Sequence, residues 1–357
     1  MIKYTSPLPD LNAGFAVDLA SCADARAPLK ALFLCVDFPN RPASDALHPD
    51  TRYYYDILAG EGLRLYEKMS FGRLRMSVTL YGDWVTMPKN DADYAMERVI
   101  SWETHRNYIQ DAFDAVPDVD FGAYDIVYIA AVEGSAVPYS PTMAAKGWPV
   151  TAKNGTGCGL VVTFGADMHY RRGKLFCHEN GHIMGLPDLY LYDVPDGVRD
   201  CFAHCGPFDL MGLIEAAAPD YLGYHKWRLG WIDDDQVTEF GPGESGEAVL
   251  TPLEESGGLK LVNLPLDNKT GYMAEYRAPL APDEALERDG VILYKISGRV
   301  ENGAGCVTLI PPEPEKYLRP DPRSSDGLIP AGTTVELEKD GIRLTHPGGG
   351  RVRVERV

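Results

Sequence analysis

Two hydrophobic periods divide the first two thirds of the chain into elements. Residues 30–38 (KALFLCVDF) are almost continuously apolar and stop at Pro39-Asn40, which predicts a buried strand. Residues 51–69 place Tyr53, Tyr54, Ile57, Leu58, Leu65 and Tyr66 at helical spacing despite Gly60 and Gly62. Residues 73–81 alternate and predict a strand that 84–87 extends. Residues 92–116 form the longest helical pattern, with an acidic start. A second buried strand is expected at 124–132, a loop rich in Gly, Pro and Ser at 133–157, and a short strand at 159–164. Helices are expected from about Arg171 and over 219–230, the latter ending at Gly230. Strand, helix, strand, helix, strand is the order of an α/β layer.

The pattern changes near Asp233. Short strands separated by turns recur around residues 248–252, 259–264, 272–277, 291–296, 306–310, 334–337, 342–345 and 352–354. That spacing predicts a β-sandwich or a similar all-β module. The expected organisation is an N-terminal extension over 1–28, a mixed α+β or α/β domain over 29–232, and a β-rich domain over 233–357.

One stretch carries chemistry. Residues 176–188 read FCHENGHIMGLPD and contain His178-Glu179-x-x-His182. Positions i and i+4 share a helix face, so both imidazoles can point at one ion. Glu179 follows the first imidazole, where it can reach a water on zinc as general base. Gly185 permits a left-handed cap and Pro187 cannot continue the helix. The turn should bring Asp188 back as a third, oxygen ligand, which is the metzincin order with Asp in place of a third His. Glu215 is the rival third ligand of a thermolysin-like arrangement, but no E-x-x-x-D pattern follows it.

Downstream, Asp193, Asp196 and Asp200 lie in an acidic loop that suits Ca²⁺ or a solvated surface. Met211, in CGPFDLMG, has the turn-forming neighbours and the distance from the helix of a Met-turn. Tyr221 and Tyr224 follow it, as core residues or as stabilisers of an oxyanion. The chain has seven cysteines, an odd number that does not make a disulfide framework. Cys35 and Cys158 should be buried thiols, and Cys201 and Cys205 are either bonded to each other or free.

Composition narrows the partners. A net charge of −18 argues against nucleic acid or an anionic membrane as the main partner. No stretch approaches the ~20 apolar residues needed to span a bilayer. The first residues show no hydrophobic run of signal-peptide type.

These residues together resemble the immune inhibitor A-like metallopeptidases, a metzincin-type group. The resemblance is carried by VDF at 36–38, YEKMSFGRL at 66–74 with Trp84, HENGHIMGLPDLY at 178–190, FDLM at 208–211 and LGW at 229–231. YMAEYR at 272–277 and DGVILY at 289–294 extend it into the β-rich part. It implies a zinc endopeptidase acting on proteins, with His178 and His182 as ligands and Glu179 as base. It also implies an extracellular setting and an N-terminal prosegment. The chain departs from that pattern, showing neither a signal-type run nor a long prosegment, and Cys22 is an upstream cysteine that could cap the metal as a thiolate in a latent form. The competing reading is a catalytically weak or inactive zinc protein whose β-rich domain binds carbohydrate or protein. The intact His-Glu-His set argues against it.

Overall fold

The computed structural model describes residues 21–193, 204–216, 218–314 and 325–356. They fall into two compact units. One contains Asp18–Glu67 and Leu74–Gly185, and the other contains Lys68–Arg73 and Leu186–Val357.

The first unit is built on a mixed five-stranded sheet. Its strands are β1 (Leu29–Asp37), β2 (Met76–Thr86), β3 (Ile126–Ala131), β4 (Thr142–Ala144) and β7 (Leu160–Phe164), in the order β2-β1-β3-β7-β4. The first four run parallel and β4 pairs antiparallel with β7. β1, β3 and β7 are central, so both faces are covered and their sequences are apolar almost throughout. A small hairpin, β5 (Val150–Thr151) and β6 (Gly157–Cys158), stands apart from this sheet. The helices are α1 (Thr51–Tyr55), α2 (Glu61–Met69), α3 (Trp102–Asp114) and α4 (Met168–Ile183).

Two expectations need correction here. The helical pattern over 92–116 yields a helix only from Trp102. Before it, a 3-10 turn over Asp91–Tyr94 ends at Ala95, whose φ of 49° is left-handed and stops propagation. Ser101 then caps α3 by accepting from the Thr104 N–H at 3.0 Å. The pattern over 51–69 is helical throughout as expected, with α1, a π-turn over Asp56–Gly60 and α2 in direct succession. The expected loop 133–157 contains β4, β5 and the start of β6, strands too short to show a period.

Gly62 has a packing reason. A Cβ there would lie 2.3 Å from Cδ1 of the buried Phe176 ring, so only glycine lets α2 approach α4 this closely.

The second unit holds the end of α2 and α5 (Gly223–Leu229), and its other described regular elements are strands and short 3-10 turns. One sheet has the order β13-β12-β11-β10-β8, with β8 (Val237–Glu239), β10 (Leu261–Pro265), β11 (Thr270–Arg277), β12 (Gly290–Ser297) and β13 (Val307–Leu309). It is antiparallel except for the β10–β8 pair. The other sheet is antiparallel, in the order β14-β15-β16-β9, with β9 (Gly246–Val249), β14 (Thr333–Leu337), β15 (Ile342–Gly348) and β16 (Arg351–Arg356). Val262, Leu264, Ala274 and Leu293 of the first meet Ala248, Leu344, Val352 and Val354 of the second in one apolar core. Among the described residues, no helix is long and apolar enough to cross a membrane.

Candidate metal centre

The motif lies on α4, and long-range side chains hold that helix in place. Arg172 interrupts it with φ 52° and ψ −133°, so the regular helix bearing the motif starts at Gly173. Glu61 of α2 stabilises the break. Its carboxylate pairs with Arg172 Nε at 3.0 Å and accepts from the Gly173 N–H at 3.4 Å. Further along, the buried Tyr128 of β3 donates to Asn180 Oδ1 at 2.6 Å, and Tyr66 of α2 donates to the Cys177 carbonyl at 2.8 Å. Burial pushes the Cys177 thiol well up, so it stays protonated beside the motif.

The helix presents His178 and His182 on one face, their ring centroids 4.9 Å apart and their planes at 87°. The C-terminus forms as the sequence predicts: Gly185 has φ 87° and donates to the His182 carbonyl at 2.9 Å. The chain then turns back, and the ligand atoms of His178, His182 and Asp188 all lie within 4.8 Å of one another. His178 and Asp188 are buried and His182 is half-buried. Among the described residues, no other set of three His, Cys, Asp or Glu side chains is close enough to hold a metal ion. Two imidazoles and one carboxylate are the donor types that zinc and similar divalent ions accept.

Asp188 has two neighbours that sequence reasoning missed. Tyr192 donates from its hydroxyl to Asp188 Oδ2 at 2.5 Å, and the Asp188 N–H donates to Asn302 Oδ1 at 2.7 Å. Tyr192 is four residues from Asp188, whereas Asn302 is 114 positions away and has no local signal.

Glu179 is buried, and Thr142 of β4 donates from Oγ1 to its Oε2 at 2.6 Å. The loop leading to Thr142 is fixed against the start of α4. Ser140 Oγ donates to Asp167 Oδ1 at 2.6 Å and accepts from the Gly165 N–H at 3.0 Å. Burial holds the Asp167 carboxyl above its ordinary range. The strand preceding the helix, β7, is an inner strand between β3 and β4, and the outer strand is β4.

Met211 is fully buried in a tight turn closed by Gly212 N–H to the Asp209 carbonyl at 3.0 Å. Its carbonyl accepts from the Leu189 N–H at 2.8 Å, beside Asp188. Asp209 builds the turn. Oδ1 accepts from the Met211 N–H at 2.7 Å, and Oδ2 accepts from the Leu222 N–H at 2.7 Å and pairs with His225 Nδ1 at 2.8 Å. An Asp two residues before the turn methionine is an Asx signal readable in the sequence.

Tyr221 is buried and stacks on Trp231 with centroids 5.8 Å apart. Tyr224 is buried edge-on to Trp227, and burial pushes its phenol up to about 12. Glu215 and Asp193 are exposed. Asp196, Asp200 and Cys201 lie outside the described residues, while Cys205 is a free, buried thiol and Cys22 is buried. Cys35 and Cys158 are buried thiols as expected.

No protein-family model matches the chain, and no curated protein is significantly similar to it.

Proposed function

We propose that the protein is a zinc-dependent endopeptidase with a metzincin-like catalytic part and a β-sandwich-like second part. One observation carries the reading. Glu179 is buried beside the first imidazole, held by Thr142, on the helix whose two imidazoles converge with Asp188. His178, His182 and Asp188 are the residues that would hold zinc. When bound, zinc supplies Lewis acidity that polarises a peptide carbonyl and makes water a nucleophile near neutral pH. Glu179 accepts a proton from that water and returns it to the departing amine. Burial keeps its carboxylate out of bulk water, and the Thr142 hydroxyl limits its rotation. β4 is the outer strand of its sheet, so an extended peptide can pair with its edge by main-chain hydrogen bonds. A structural calcium near Asp193, Asp196 and Asp200 is a further part of the reading and rests on their clustering in the sequence.

The test is zinc content together with casein hydrolysis by the purified chain, with and without a zinc chelator. Stoichiometric zinc and chelator-sensitive cleavage support the reading. Zinc without cleavage returns the choice to a non-catalytic zinc protein.

A further inference from the structure

We infer that Asn302 and Tyr192 act as positioning residues that orient Asp188 toward the metal, an inference that rests on the zinc reading of His178, His182 and Asp188. Asp188 lies beyond the end of α4, on irregular backbone, where no helical spacing fixes its side chain. Three hydrogen bonds do so instead and close a ring. The Asp188 N–H donates to Asn302 Oδ1 at 2.7 Å, Asn302 Nδ2 donates to the Tyr192 hydroxyl at 2.9 Å, and that hydroxyl donates to Asp188 Oδ2 at 2.5 Å. The donors and acceptors are consistent around it. A hydroxyl has one proton to give and lone pairs to receive, and an amide offers one oxygen and two N–H groups. Asn302 therefore reads the backbone of Asp188 with one end and its carboxylate, through Tyr192, with the other. The Tyr192 N–H also donates to the Gly303 carbonyl at 2.8 Å, so the turn between β12 and β13 grips both residues.

The ring predicts a particular pattern of energies. Partners that orient a metal ligand typically change affinity 10–100-fold when removed. Because all three groups share one ring, breaking it at either side chain should release Asp188 to the same extent. Asn302 is half-buried in a turn, so truncating it should leave the folded chain intact.

The experiment measures zinc affinity of the full chain by competition with a chelating dye, and the melting temperature of the zinc-stripped chain. Asn302→Ala and Tyr192→Phe should each weaken zinc about 10-fold, and the double variant should be no weaker than either single one rather than ~100-fold weaker. The melting temperature of the stripped chain should not change. Wild-type zinc affinity in Asn302→Ala, additive losses in the double variant, or a fall in melting temperature with unchanged affinity would each overturn the inference. His182→Ala separates this from the underlying reading. If it binds zinc as the wild type does, the metal site itself is wrong. If it loses zinc while Asn302→Ala keeps it, only the clamp is wrong.

Discussion

Thr142 and Glu179 are joined by a hydrogen bond of 2.6 Å, donated by the threonine hydroxyl to Oε2 of the carboxylate. Thr142 opens the outer strand of the sheet and Glu179 lies inside the HExxH helix, so the bond ties the proposed general base to the strand on which a peptide would lie. The bond limits rotation of the carboxylate, and under the proposed reading that is preorganisation of the kind that proton transfer requires.

Replacing that hydroxyl should cost activity and leave the metal in place. Thr142→Val keeps the side-chain shape but removes the donor, and a lost hydrogen bond to a buried carboxylate costs ~1–3 kcal/mol. We expect kcat to fall about 10-fold or more, zinc content to stay at the wild-type level, and Thr142→Ser to recover most of the loss. Steady-state kinetics and metal analysis check this, and an unchanged kcat in Thr142→Val would remove Thr142 from the mechanism.

Glu179→Gln should separate chemistry from metal binding. The amide occupies the same space and both imidazoles remain, but it accepts no proton. General-base contributions of 10²–10⁴-fold set the expected fall in casein cleavage. Zinc should still bind. Activity within a few-fold of wild type would show that another group takes the proton.

Asp188→Ala should behave differently. A catalytic zinc normally takes three protein ligands, so removing one should lower zinc affinity and activity together. Zinc titration and peptidase assays on the same preparation make the comparison. Full occupancy at wild-type affinity would mean that another residue supplies the third ligand.

Gly62→Ala tests how closely α2 packs against α4. The new methyl would sit 2.3 Å from Phe176 Cδ1, in a fully buried place. Alanine favours a helix by up to ~1 kcal/mol, but overpacking typically costs ~1–3 kcal/mol, and Phe176 has no solvent to move into. Urea denaturation should show a lower midpoint with the slope unchanged. A variant as stable as wild type would mean that the two helices can separate freely.

His105 should contribute to acid sensitivity. It is buried in α3 with Nε2 3.0 Å from Thr163 Oγ1, and burial lowers its pKa from 6.5 to about 4. The folded state therefore favours the neutral ring. Its contribution is complete above pH 6.5 and is lost as pH falls through about 4, and it amounts to ~3 kcal/mol at ~1.4 kcal/mol per unit. Urea denaturation at pH 7 and pH 4 should show a smaller pH dependence in His105→Gln than in the wild type. Equal dependence in the two proteins would exclude His105 as a source of acid instability.

By itself the sequence determined the features that depend on short-range periodicity. Central strands such as β1 and β3 are apolar on both faces, so their runs were legible without partners. His178 and His182 share a face because of helical spacing, and Gly185 ends the helix because only a residue free of Cβ takes φ 87° without cost. Asp188 was readable as the third member of the group that could hold a metal because the same short turn places it. Tertiary structure alone decided what lies around these residues. Thr142 reaches Glu179 across 37 positions, Glu61 secures the break at Arg172 across 111, and Asn302 holds Asp188 across 114. It also decided that β4 rather than β7 forms the sheet edge, and that Ala95 interrupts the pattern over 92–116. Periodicity records which face of an element is buried. It carries no record of which distant hydroxyl or amide the folded chain brings to that face, since such partners are chosen by strand order and loop path.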